Sequence, residues 1–274
     1  AKREPEEETR MADGKDSMRG ILTVAVSVCF VCAVFVSATA VSLKPQQRIN
    51  KELDRNKNVL IAAGLFDVDT TSEAEIPQLF ERFETRVVDF ESGRVLSDDE
   101  AAAAGIDPAR YDQRKAAKDS SLSIELTDVQ DVASISRRAR YSVVYLLKDE
   151  RGVEKIVLPV HGYGLWSILY GFLALEPDGS TVGGITFYDQ KETAGLGGEV
   201  ENPAWKAGWR GKQVFDAEDR IVLRVVKGKA AEGSPHDIDG LSGATLTSRG
   251  VQNLVAFWMG DDGFGPVLEA LKRG

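Results

Sequence analysis

The sequence predicts an α+β protein: a single N-terminal transmembrane helix followed by a soluble domain with a mainly antiparallel sheet flanked by helices. Three observations carry this reading. Residues 21–43 form an uncharged apolar run, residues 141–228 are rich in β-branched and aromatic residues broken by turn signals, and residues 245–260 repeat apolar positions at helical spacing. Hairpins with helices before, within and after them favour α+β over a doubly wound parallel sheet. The chain divides into an N-terminal tail (1–20), the transmembrane helix (21–43), a juxtamembrane helix with a helical and irregular region (44–140), and a strand-rich domain (141–274).

The tail contains the acidic run EPEEE at 4–8, and Met11 is an alternative start, so residues 1–10 are set aside. The run ILTVAVSVCFVCAVFVSATAVSL is bounded by Arg19 and Lys44. At a helical rise its 23 residues span roughly 34 Å, against a hydrocarbon core of about 30 Å. The rival reading is a cleaved signal peptide ending at Ala38-Thr39-Ala40, but the run exceeds the usual ~7–15 residue apolar core. Five Lys and Arg precede the run and five follow it within 44–58, so charge alone leaves the orientation open. Cys29 and Cys32 make a C-x-x-C inside this run. In an apolar setting the reactive thiolate is disfavoured, so the pair is read as packing residues rather than a redox or metal site.

Past the membrane, 44–65 reads as a juxtamembrane helix that Gly64 terminates, and 66–125 as two or three short helices with irregular connections. YSVVYLLK and GVEKIVLPV form one predicted hairpin, SILYGFLALE and VGGITFYDQ a second, and IVLRVVKG (221–228) a fifth strand. A short helix over 199–210 carries Trp205 and Trp209, which share a face and are read as core. TLTSRGVQNLVAFWMG is a helix with Val251, Leu254, Val255 and Trp258 inward, and a last helix covers 264–273.

Composition narrows the function. The 274 residues carry 34 Lys and Arg against 43 Asp and Glu, a net charge of −9, so a phosphate-neutralising surface for nucleic acid is not expected. With two histidines, no metal site is expected. There is no P-loop, dinucleotide fingerprint, H-E-x-x-H or G-x-S-x-G. Three glycine-containing clusters remain: HGYGLWS (161–167), KETAGLGGE (191–199) and DGLSGATLTS (239–248). The third ends where a helix begins, so free backbone N–H groups and the helix dipole would favour a phosphate there. The competing reading is an ordinary loop with a Ser or Thr cap.

Asp239-Gly240-Leu241-Ser242-Gly243-Ala244-Thr245 matches the D-x-x-[ST]-G-A-T signature of proteins on which a flavin transferase esterifies FMN to the last threonine. Together with HGYGLWS, TFYDQKETAGLGGEVENPAW, the single anchor and Asn50-Lys51-Glu52-Leu53-Asp54, the chain resembles the NqrC family, one of the subunits of the sodium-translocating NADH:quinone reductase, over most of its length. Ala194 departs from the family's usual proline, leaving that loop less rigid.

The resemblance implies a covalent FMN on Thr245, with Asp239, Ser242, Gly243 and Ala244 completing the flavinylation motif and 141–274 as the FMN-binding domain. Tyr163, Leu165, Trp166, Leu196 and Gly197 become candidates to cover the ring. His161, Ser167, Glu192 and Thr193 become candidates to hydrogen-bond the cofactor, each with a loop-shaping or core alternative; Lys206 and Lys227 face either phosphate or solvent. It implies an electron-transfer subunit, part of the respiratory enzyme that couples NADH oxidation and ubiquinone reduction to sodium export, with the other subunits and a flavin transferase as partners. The location implied is the bacterial inner membrane, with the soluble domain periplasmic. Two alternatives stay open: the FMN subunit of the related electron-transport complex between NADH and ferredoxin, and a non-catalytic flavin-binding sensor.

Overall fold

The computed structural model describes residues 18–150 and 152–273; the tail residues 4–8 and Met11 lie outside them, as does Arg151. The chain divides into two compact units, residues 1–52 and 53–274. Helix α1 (Met18–Ala63) supplies the described part of the first and opens the second. Its apolar window has a mean hydropathy of 2.6 with side chains unburied, and among the described residues it is the one helix long and apolar enough to cross a membrane. The hydroxyls of Thr23, Thr39 and Ser42 donate to the backbone oxygens of Arg19, Phe35 and Thr39, so these three need no outside partner for their protons. Cys29 and Cys32 are exposed free thiols on this helix. The separate juxtamembrane helix expected over 44–65 is a continuation of α1, which runs through Pro45. Proline removes one N–H from the ladder, and the helix formers after it carry the helix on. The expected stop holds. Gly64 adopts φ +75°, the N–H of Leu65 reaches Leu60 O (2.9 Å), and the N–H of Gly64 reaches Ile61 O (3.0 Å), the paired bonds of a Schellman end.

A 3₁₀ turn at Glu73–Glu75 leads into α2 (Ile76–Phe80), then β1 (Phe83–Asp89) and β2 (Arg94–Val95). Next come α3 (Asp98–Ala103), whose Ser97 and Glu100 form a reciprocal capping box, and α4 (Gln113–Ala116). The small ribbon β3 (Ser123–Glu125) and β4 (Arg137–Ala139) precedes the long strands β5 (Tyr141–Asp149), β6 (Gly152–Tyr163), β7 (Ile168–Leu175) and β8 (Val182–Asp189). After a 3₁₀ turn at Gly197–Glu201 come α5 (Pro203–Ala207), β9 (Arg224–Val225), β10 (Asp237–Ile238), α6 (Thr245–Met259) and α7 (Gly265–Arg273).

The main sheet has order β2-β1-β5-β6-β7-β8 with every pair antiparallel. Both predicted hairpins form, as β5/β6 and β7/β8. Two expectations change. The boundary at 140/141 does not divide the sheet, because β1 pairs with β5 from Phe83↔Leu147 to Asp89↔Tyr141. Its sequence FETRVVD, with Glu84 and Arg86 interrupting the apolar residues, hid a strand that uses those charges at a sheet margin: Arg86 Nη1 contacts Glu84 at 2.7 Å, and Lys148 also pairs with Glu84. The predicted fifth strand at 221–228 shrinks to β9, paired in parallel with β10 and outside the main sheet.

Alternation along β5 sorts the two sheet faces. Val144 and Leu146 join the large core with Leu158, Leu173, Val251, Leu254 and Trp258 beneath α6 and α7, while Tyr145 and Leu147 join Val59, Leu60, Ala62 and Phe172 beneath the end of α1. A Cβ on Gly184 would lie 2.4 Å from Ala62 O, so only glycine permits α1 to lie this close to β8. Trp209 is fully buried and meets Trp205 edge-on at 5.4 Å, as the core reading expects.

Candidate functional site

The site forms where three loops converge on the start of α6. Helix α6 begins at Thr245, and its N-cap residue, Ala244, has no side-chain hydrogen bond. The ordinary Ser or Thr cap is therefore not what ends this loop. Ser248 instead accepts from the N–H of Leu241 (2.9 Å), folding the motif back onto the helix. Asp239 is exposed; its Oδ1 accepts from the N–H of Ala230 (2.8 Å), and its backbone oxygen accepts from Trp205 Nε1 (2.7 Å). Gly240 packs so tightly that a Cβ would lie 2.3 Å from Val226 O, and Gly243 adopts φ +71° with Leu196 against it. The motif glycines are thus a packing and conformational requirement. Ser242 and Thr245 are exposed, and Ala244 is buried.

On one side of α6, β6 ends at Tyr163 and its turn carries Leu165 and Trp166. All three are exposed, Trp166 at 66%, as are Leu196 and, at 53%, Leu246. Five large apolar groups left open around one helix start are an uncommon surface for water alone to cover. Gly250 lets this side close up, because a Cβ there would lie 2.4 Å from Tyr163 O.

Glu192 ties these pieces together. Its Oε1 accepts from the N–H groups of Trp166 (2.9 Å), Leu165 (3.1 Å) and Ser167 (3.2 Å), and its Oε2 accepts from the Thr247 hydroxyl (2.8 Å). Burial pushes this carboxyl up, but the Trp166 N–H, the Thr247 hydroxyl and the Leu165 and Ser167 N–H groups outweigh it and hold the pKa below the ordinary value. Ser167 Oγ accepts from the N–H of Lys191 (2.8 Å), joining the second loop to the first. Gly197 faces the Glu192–Thr247 pair, and exposed Thr193 turns the loop by accepting from the N–H groups of Leu196 and Gly198.

On the other side lies a cleft of about 360 Å³ lined by Thr245, Lys227, Gly228, Arg249, Gln252 and Asn253 among others. Thr245, Arg249, Gln252 and Asn253 share one face of α6, a spacing legible in the sequence but not used there. Leu246, Thr247 and Arg249 were likewise missed. Lys206 is half-buried on α5, and burial lowers its pKa.

His161 does not join the site. Its side chain is 7% exposed, 5.4 Å from the Tyr170 ring and 4.8 Å from Trp258, and burial followed by the nearby Arg114 charge lowers its pKa to about 3. His161 and Tyr163 share a face of β6, but Tyr163 at the strand end reaches solvent, whereas His161, one pair further in, is covered by Trp258 and Tyr170. The geometry fits a planar, amphipathic ligand carrying a phosphate: exposed apolar groups flank an uncapped helix start, and a hydroxyl sits on its first residue.

Comparison with known proteins agrees with this geometry. Residues 164–260 match the FMN-binding domain family. The chain is 48% identical over 265 residues to NqrC of the Na(+)-translocating NADH-quinone reductase of Vibrio parahaemolyticus, covering 96% of this chain and 99% of that one. It is 47% identical over 268 residues to the corresponding protein of Pseudomonas aeruginosa, with the same coverage. A crystal structure of Shewanella oneidensis NqrC superposes with a TM-score of 0.73 at 34% identity, covering 82% of this chain and all of that one. An NqrC crystal structure from Parabacteroides distasonis, at 24% identity and TM-score 0.62, shares the fold. The exposed apolar cradle, the uncapped threonine and this near-full-length similarity lead to one conclusion: the chain belongs to the NqrC family of the Na(+)-translocating NADH-quinone reductases.

Proposed function

We propose that this chain is the FMN-carrying electron-transfer subunit of a sodium-translocating NADH:quinone reductase, with FMN joined to Thr245 Oγ1 through a phosphoester. The observation that carries the reading is the exposed Thr245 at the first position of a 15-residue helix without a side-chain cap, flanked by exposed Tyr163, Leu165, Trp166, Leu196 and Leu246. FMN, when bound, supplies the redox chemistry, which no protein side chain offers. The chain's own residues do the rest. Thr245 holds the phosphate at the positive end of the α6 dipole, beside a cleft carrying Lys227 and Arg249. The apolar groups exclude water from the ring faces, and the motif glycines let the backbone close up beneath it. Asp239 organises the loop, accepting from Ala230.

In this reading a flavin transferase loads Thr245, the apolar run of α1 anchors the chain in the inner membrane, and the body lies on the periplasmic side. The partners are the other subunits of the reductase, which deliver and withdraw the electrons. Intact mass of the denatured chain made with and without a flavin transferase tests the attachment. The expected result is a transferase-dependent gain of one FMN less water, mapped to Thr245 and absent in Thr245→Ala, which stays folded. Retention of covalent flavin by Thr245→Ala would defeat the assignment. Protease access to the body in intact spheroplasts tests its side.

A further inference from the structure

Among the described residues Glu192 is the single buried carboxylate, 8% exposed, and its donors are all neutral: three consecutive backbone N–H groups and one hydroxyl. Both oxygens are engaged by the protein, so the expected hydrogen bond from Glu192 to the cofactor gives way to a different role. The carboxylate spans three segments that are distant in sequence. It holds the turn that carries Leu165 and Trp166, it sits in the loop that carries Leu196, and through Thr247 it grips α6 two residues after Thr245. Two glycines are shaped to it. A Cβ on Gly164 would lie 2.8 Å from Oε1, and one on Gly197 would lie 2.8 Å from Oε2 and 2.6 Å from Thr247 Oγ1. A neutral oxygen acceptor could satisfy one or two of these amides. A carboxylate satisfies all of them and leaves a full negative charge inside the cradle.

We propose that Glu192 is a positioning residue for the flavin, clamping the 165–167 turn, the 196–197 turn and the first turn of α6 into one rigid cradle while its fixed charge disfavours added electron density on the ring. The inference rests on the flavin being carried at Thr245. Because no cation is among its donors, no opposite charge neutralises the carboxylate, and the N–H dipoles offset its field only in part. A reduced ring, which gains electrons, is destabilised by that field relative to the oxidised ring, so the charge holds the potential down.

The test uses the full-length chain in mild detergent. Glu192→Gln keeps size and removes charge, Glu192→Asp keeps charge one methylene short, and Thr247→Val cuts one strand of the clamp. Amide hydrogen exchange at Leu165, Trp166 and Ser167 is read first in a flavin-free Thr245→Ala background, so this arm stands whatever Thr245 carries. Glu192→Gln should speed exchange there by about tenfold or more, and Thr247→Val by less. Unchanged exchange in Glu192→Gln would overturn the clamp. In flavinylated protein, confirmed by mass, Glu192→Gln should shift the midpoint potential positive, while Glu192→Asp and Thr247→Val stay close to the unsubstituted protein. A negative shift or none in Glu192→Gln would overturn the electrostatic role, as would an equal shift in Glu192→Asp. Absence of flavin on Thr245 of the unsubstituted chain would instead defeat the reading on which the inference rests.

Discussion

Gly250→Ala sets two well-characterised effects against each other within α6. In an unobstructed helix interior the change should stabilise by about 1 kcal/mol, because glycine loses more backbone freedom on folding than alanine. Here the new Cβ would lie 2.4 Å from Tyr163 O, 2.9 Å from Gly164 Cα and 3.2 Å from Gly164 O. All three are backbone atoms, so no side-chain rotation relieves the overlap. The helix must withdraw from the end of β6 by roughly 1 Å before these contacts become ordinary, and overpacking of that kind costs about 1–3 kcal/mol, occasionally more. The sheet side is unyielding, since Tyr163 pairs with Ile168 and its N–H is held by Ala133 O at 2.8 Å. With three backbone contacts overlapping, the cost falls in the upper part of that range, about 2–3 kcal/mol, so we expect a net loss of about 1–2 kcal/mol, or roughly 2–8 °C in midpoint for a body of this size. Urea unfolding of the full-length chain in mild detergent, followed by tryptophan fluorescence, measures it. Withdrawal of α6 also opens the side that carries Leu246, so fluorescence of a flavin on Thr245 should become more accessible to iodide. A Gly250→Ala protein as stable as the unsubstituted one, or more so, would refute the claim that glycine is demanded by backbone approach.

Two further outcomes follow from the same geometry. His161 titrates near 3 when folded, against an ordinary value of 6.5, so between those values the unfolded chain binds a proton that the folded chain refuses, and stability falls as pH drops. By pH 5 the loss is about 2 kcal/mol; His161→Phe, which keeps a ring against Trp258, should flatten the stability profile between pH 7 and 5 by that amount, and an unchanged profile would show that His161 is protonated in place. Asp131 accepts from the N–H groups of Ile135 (2.7 Å) and Ser136 (2.8 Å), holding Ser134 and Ser136 at φ 53° and 62° in the loop whose Ala133 O fixes Tyr163. Asp131→Ala should cost about 1–3 kcal/mol and quicken exchange of the Tyr163 amide, with partial recovery in Asp131→Asn; equal stability of the alanine variant would show that the loop holds itself.

Some of this architecture is local enough to be legible without coordinates. The apolar run, the Gly64 stop, both hairpins and α6 rest on short-range periodicity and turn chemistry, and each forms within a few residues of its predicted place. β1 escaped notice because Glu84 and Arg86 break its apolar pattern, and Lys148, which joins them at Glu84, comes from β5, far along the chain. The 221–228 stretch has the composition of a strand, yet only Arg224 and Val225 form one, on β10, and Ile221 makes an isolated bridge to Phe215. β-composition reports fitness for a pleated surface and does not report whether a neighbour is there.

At the site, the D-x-x-S-G-A-T motif pointed to Thr245 through its resemblance to the flavinylation signature, which is readable because its residues are contiguous in the chain. Tertiary structure decided what surrounds it. His161 and Tyr163 are two residues apart, yet one lies in the core and the other at the open strand end. Glu192, 53 residues before Thr245 in the chain, reaches Thr247 and three amides of another loop. Sequence determines which groups have a strong local preference, since helix starts, tight turns and apolar runs are settled by neighbours along the chain. Which face is buried, and which distant carboxylate closes the cradle, is settled only when β6, the loop after β8 and α6 pack together, because hydrogen bonding and exclusion of water depend on distance in space.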